Sequence, residues 1–188
     1  MRAQDIPNLI SALRILLVVP ILWLLLVRHY DMALLLFLIA GFSDALDGFL
    51  AKHYGWTSRL GGVLDPLADK MLLTGSYLAL GWLGDLPVWL VGLVILRDGV
   101  ILLGAVAYHL LIEPFEAAPT TISKINTLMQ LILVLAVMFN HGVTELPGWG
   151  LPVLIALTAL TTLVSGGHYV WEWSRRARTR RRERNASH

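Results

Sequence analysis

The chain has 188 residues, 56% of them hydrophobic and only 15% charged, where a soluble domain carries about 25% charged residues. This composition excludes an ordinary soluble core and points to a protein that dissolves in lipid. With no cysteine, disulfides, thiolate metal centres and cysteine nucleophiles are excluded, and the six histidines include no pair at helical metal-binding spacing, which argues against zinc.

In chain order, six apolar segments stand out, each near the roughly 20 residues that span hydrocarbon. The first covers 8–27, inside MRAQDIPNLISALRILLVVPILWLLLV. It has no strongly charged leader and no small-residue cleavage site after it, so it is read as a retained helix and not a signal peptide. Asp5 and Pro7 likewise argue against a mitochondrial presequence. The second and third segments, 32–53 and 62–83, flank a short polar connection, and the fourth covers 86–111. The fifth and sixth cover 120–139 and 149–169, with Gly-Asp-Leu-Pro at 84–87, Pro114 to Pro119 and Asn140 to Pro147 as breaks. The expected fold is an all-α integral membrane protein of six transmembrane helices, with a membrane domain over 1–174.

The net charge of +2 hides a basic tail over 175–188, where Arg175, Arg176, Arg178, Arg180, Arg181, Arg182 and Arg184 cluster. The tail reads as an unstructured, solvated segment, with anionic headgroups as a second possible contact. No folded basic domain accompanies it, so nucleic acid is not an expected partner. By the positive-inside rule the tail places both termini in the cytoplasm. The connection bearing Lys52 and Arg59 then faces the cytoplasm too, and the outward connections hold one basic residue, Arg28.

Against this apolar background stand four aspartates, Asp44, Asp47, Asp65 and Asp69, within 26 positions. Each would oppose insertion by roughly 2.5–3.5 kcal/mol at full depth, and the four together by roughly 10–14 kcal/mol. Asp44 and Asp47 are three apart and Asp65 and Asp69 four apart, so each pair shares a helix face. Two pairs meeting across a cytoplasmic turn would form an all-oxygen site for Mg²⁺ or Mn²⁺ with positions left for phosphate oxygens. Gly48, Ala51, Gly61 and Gly62 would let a bulky polar substrate approach the backbone. Each residue also has a plainer reading. Asp65 before Pro66 could cap a helix, Asp69 could pair with Lys70, Asp44 could pair with a distant base, and the small residues could serve helix packing.

The order Asp44-x-x-Asp47-Gly48-x-x-Ala51-Lys52, eight residues, Gly61-x-x-x-Asp65-x-x-x-Asp69 resembles the signature of the CDP-alcohol phosphatidyltransferase family. One position departs from it: Lys52 stands where that family usually has arginine, which keeps the charge and loses the bidentate fork. The resemblance implies six membrane helices, a homodimer and two divalent ions held by the four aspartates; with the charge asymmetry of the connections, the expected location is the bacterial inner membrane with the active site facing the cytoplasm. It implies that Asn8, Gly48, Ala51, Lys52, Ser58 and Gly61 bind the CDP-lipid, and that Asp69 is the base that takes the proton from the acceptor hydroxyl.

The acceptor is read from the flanks. IPNLISALR at 6–14 is similar to the opening of both the glycerophosphate-using and the cardiolipin-forming groups of that family. ILRDGVILLGAVAY at 95–108 lacks the second basic residue typical of glycerophosphate users, and ISKINTLMQ at 122–130 resembles the cardiolipin-forming group. Asn126, where a lysine would add a cation, suits a phosphodiester acceptor. The expected reaction is transfer of phosphatidyl from CDP-diacylglycerol to phosphatidylglycerol, with Arg14, Arg97 and Lys124 as candidate holders of the acceptor phosphate. Their plainer roles are ion pairs, for instance Arg97 with Asp98, or snorkelling by Lys124. Glycerol 3-phosphate is the alternative acceptor, and a small cation or proton transporter the remote alternative.

Overall fold

The computed structural model describes the backbone of residues 6–54, 61–111 and 120–186, and within them the side chains of 13–44, 68–104, 120–169 and 171. The described residues form six α-helices: α1 Ile6–Leu26, α2 Tyr30–Tyr54, α3 Gly61–Leu83, α4 Val88–Leu111, α5 Thr121–Gly142 and α6 Gly150–Ala186. Each overlaps one apolar segment of the sequence. Apart from the far end of α6, the boundaries fall within three residues of the expected ones, and two of the starts have a local consequence. Helix α4 starts at Val88 and not at 86, because the Pro87 carbonyl accepts from the Leu90 and Val91 amides and so begins the helical ladder. Helix α3 starts at Gly61, so Asp65 lies one turn inside it and is not its cap.

The arginine-rich end is also helical, contrary to the unstructured tail expected from composition. Helix α6 has 37 residues, about 55 Å at 1.5 Å per residue, well beyond the roughly 30 Å of hydrocarbon. After Gly167 no glycine or proline interrupts it, and arginine is a good helix former.

Turn chemistry sets the short connections. Gly84 closes α3 at φ +82°, with the Asp85 amide donating to the Leu80 carbonyl and the Gly84 amide to the Gly81 carbonyl, a Schellman arrangement. The end of α1 uses the same hydrogen bonds around Arg28, at φ 63°, where a non-glycine residue costs about 1–2 kcal/mol. Thr120 caps α5, its hydroxyl accepting from the Ser123 amide at 3.2 Å.

Helix packing closes a ring in the order α1, α2, α5, α6, α4, α3, with α3 also touching α5 across the middle. Helices α2 and α3 follow each other in sequence, yet α1 packs against both. Ile21, Leu25, Ala33, Tyr77, Leu80, Leu90, Leu133 and Val137 are fully buried at the centre. The outer surface is apolar as well, with Trp23, Phe42, Trp82 and Leu103 exposed. In water this would be an aggregation surface, whereas lipid covers it at no cost. Among the described residues, Thr121–Gly142 and Gly150–Tyr169 are long and apolar enough to cross a membrane.

At the end of the bundle where α1 meets α2 and α3 meets α4, side chains lock the ring. The Tyr30 hydroxyl donates to Asp85 at 2.6 Å, and the Tyr30 and His141 rings lie 5.1 Å apart. Gly142 lets α5 press on the α2 backbone: a Cβ there would fall 2.7 Å from the Tyr30 carbonyl carbon and closer still to the Asp31 nitrogen. Gly142→Ala is therefore expected to destabilise the fold by about 1–3 kcal/mol, read as a lower melting temperature in detergent. Gly92→Ala, with nothing within 4 Å of its added Cβ, is the control and should melt as the parent does.

Candidate active site

Asp44 lies ten residues before the end of α2, and Asp69 in the ninth position of α3. From α1 between them, Arg14 enters with its side chain 1% exposed. Its Nη1 donates to Asp69 Oδ1 at 3.0 Å and forms an ion pair with Asp44 Oδ1. Two carboxylate oxygens on one nitrogen lie within about 6 Å of each other at ordinary hydrogen-bond lengths. The carboxylates themselves are 40% and 56% exposed, so they open toward solvent while the guanidinium backs them. Asp44 thus has the distant base that its plainer reading anticipated, and that base is shared with Asp69.

The three side chains line a cavity of about 240 Å³. Its remaining wall is Lys70 and Thr127 together with apolar residues that include Phe37, Leu72, Leu73 and Leu131. Charged side chains and hydrocarbon thus share one lining, the mixture that a lipid headgroup and the start of its tail require.

Lys70 pairs with α4, its Nζ 2.6 Å from Asp98 Oδ2. Arg97 takes the other oxygen of the same carboxylate at 2.8 Å. Its Nη2 also donates to Ser123 on α5 and Ser165 on α6, both at 2.6 Å. Arg97 is 5% exposed and holds three helices together. Neither it nor Lys124, which is exposed on α5, is among the residues lining the cavity. Asn126, fully buried, accepts from the hydroxyls of Thr161 at 3.0 Å and Thr162 at 2.9 Å. It ties α5 to α6, which accounts for a carboxamide at that position independently of any acceptor charge.

Asp47 and Asp65 occur on α2 and α3 in turns adjacent to Asp44 and Asp69, but their side chains lie outside the described residues. So do those of Asn8, Gly48, Ala51, Lys52 and Gly61, and all of Ser58. Among the described residues no three potential ligands gather. The two aspartates that are described nevertheless fit a hard divalent cation: both are oxygen donors, they come from different helices, and they already converge on one positive charge. Sequence reasoning missed the Lys70–Asp98 pair. Its only trace was two charged doublets, 69–70 and 97–98, each interrupting an apolar helix.

Comparison with known proteins agrees with this geometry. The sequence profile described as CDP-alcohol phosphatidyltransferase matches residues 4–165. A Rattus norvegicus protein named cardiolipin synthase (CMP-forming) is 38% identical over 181 residues, covering 87% of this chain and 60% of its own length. A Streptomyces coelicolor protein of the same name is 36% identical over 107 residues, covering 54% of this chain and 50% of its own length. A Mycobacterium tuberculosis protein named probable phosphatidylglycerophosphate synthase is 30% identical over 178 residues, covering 90% of this chain and 81% of its own length. The chain therefore spans about 60% of the length of the rat relative. With the profile matched over most of its residues and two aspartates of the signature meeting at one cavity, the chain belongs to the CDP-alcohol phosphatidyltransferase family.

Proposed function

We propose that this protein transfers a phosphatidyl group from CDP-diacylglycerol to phosphatidylglycerol, forming cardiolipin and CMP. The observation that carries the reading is the pair Asp44 and Asp69, drawn together from two helices onto Arg14 in the lining of a cavity whose other walls are largely apolar. Six membrane spans with both termini in the cytoplasm, in a bacterial inner membrane and as a homodimer, complete the proposal. The apolar outer surface and the arginine-rich end support the membrane placement.

Asp44, Asp47, Asp65 and Asp69 would hold two divalent ions, Mg²⁺ or Mn²⁺, which when bound neutralise charge on the diphosphate. Asp69 takes the proton from the acceptor hydroxyl. The freed oxygen bonds to the phosphorus that carries diacylglycerol, the bond from that phosphorus to the CMP oxygen breaks, and CMP leaves. Arg14 holds the Asp44 and Asp69 carboxylates in position, and the apolar wall of Phe37, Leu72, Leu73 and Leu131 keeps competing water away.

A second reading, glycerol 3-phosphate as acceptor, is favoured by the Mycobacterium relative, which matches over more of its own length than the rat relative does. Purified protein in mixed micelles, given CDP-diacylglycerol and Mg²⁺ or Mn²⁺, should release CMP and form cardiolipin when phosphatidylglycerol is supplied. Phosphatidylglycerophosphate from glycerol 3-phosphate, with no cardiolipin, would replace the first reading by the second. Ion flux in liposomes without any CMP release would exclude both.

A further inference from the structure

We infer that Lys70 is the side chain that binds the phosphate of the acceptor lipid, and that Asp98 is the rest position from which it is released. This role deepens the proposed phosphatidyl transfer to phosphatidylglycerol and rests on it. Of the described cations near the paired aspartates, two are already committed and buried. The Arg14 side chain is 1% exposed and engaged by two carboxylates, and that of Arg97 is as deeply buried, with Asp98, Ser123 and Ser165 as partners. Lys70 differs on each count. Like Arg14 it lines the cavity, but its side chain is 49% exposed and its only described partner is the Asp98 carboxylate.

The charge balance points the same way. Lys70 and Arg97 bring two positive charges to the single negative charge of Asp98, which leaves a surplus of one. A phosphodiester carries one negative charge, whereas the phosphomonoester of glycerol 3-phosphate carries nearly two at neutral pH. When Lys70 swings to a ligand, Asp98 stays neutralised by Arg97 at 2.8 Å, so no charge is left stranded. The Lys70–Asp98 pair that must open is half-exposed on the lysine side and 16% exposed on the aspartate side, where Arg97 keeps its own hold on the carboxylate. An ammonium bound to a phosphate oxygen beside an apolar wall is charge-assisted and partly desolvated, so it more than offsets that loss. Lys70 and Asp69 both line the same cavity, so a phosphate held by Lys70 keeps the acceptor in the cavity that also holds the proposed base.

The experiment is steady-state kinetics of the full chain in mixed micelles, with phosphatidylglycerol and CDP-diacylglycerol varied separately. Lys70→Gln should raise the KM for phosphatidylglycerol about tenfold, the loss of one charge-assisted hydrogen bond. The KM for CDP-diacylglycerol and the melting temperature should stay near the parent values, and Lys70→Arg should recover most of the acceptor affinity. An unchanged acceptor KM in Lys70→Gln, or a rise confined to the CDP-diacylglycerol KM, would overturn the assignment. Failure of the underlying reading looks different, since the parent protein itself would then make no cardiolipin from phosphatidylglycerol.

Discussion

Asp69→Asn is expected to lower turnover by about a thousandfold or more while the protein remains folded. A positioned general base contributes about 10²–10⁴-fold, and the proposed role of Asp69 adds metal binding to proton removal. Folding should survive because the side chain is 56% exposed, and asparagine keeps an oxygen that can accept from Arg14 Nη1 where Oδ1 does now. CMP release per folded molecule, with the folded fraction taken from size exclusion and thermal melting, reads the outcome. Near-parent turnover per folded molecule would assign the carboxylate a structural role alone and remove the proposed base.

Arg14→Met should damage stability and activity together. The arginine is almost fully buried and is the shared partner of Asp44 and Asp69 on α2 and α3, so its loss removes an anchor from both helices at once. Breaking a fully buried pair costs about 3–5 kcal/mol. Here both carboxylates are about half exposed and water can take up their charge, so a cost of about 2–3 kcal/mol is expected. The melting temperature in detergent should fall, and turnover should fall further than the unfolded fraction explains, because the carboxylates separate. Arg14→Lys keeps the charge but loses the planar fork, and should lie between. The competing role, a direct grip on the acceptor phosphate, predicts a raised phosphatidylglycerol KM at unchanged stability, and that result would displace the counter-ion role.

How much of this was readable beforehand divides along a physical line. Features set within one or two turns of chain were legible in the residues alone. Apolar runs near 20 residues located all six helices, Gly84 and Pro87 placed a turn, and the run of aspartates in an apolar chain pointed to the region where the structure brings Asp44 and Asp69 onto one arginine. Helix continuation at the arginine-rich end was not legible in charge density; it follows from the helix preference of arginine and the lack of any breaker after Gly167.

Which partner each charge finds was decided only by the tertiary structure. Arg14 lies 30 and 55 residues from Asp44 and Asp69, and Lys70 lies 28 from Asp98. Those meetings depend on the ring order that puts α1 against both α2 and α3, and α4 against both α3 and α6. Helix periodicity tells which side of a helix is apolar but not which neighbour covers it, because in lipid the inner and outer faces are both hydrophobic. Composition and local spacing therefore determined the class, the helices and the acidic signature. The bundle's packing determined that Arg14 backs the carboxylates, that Arg97 holds helices together, and that Lys70 is the exposed cation in the described cavity lining.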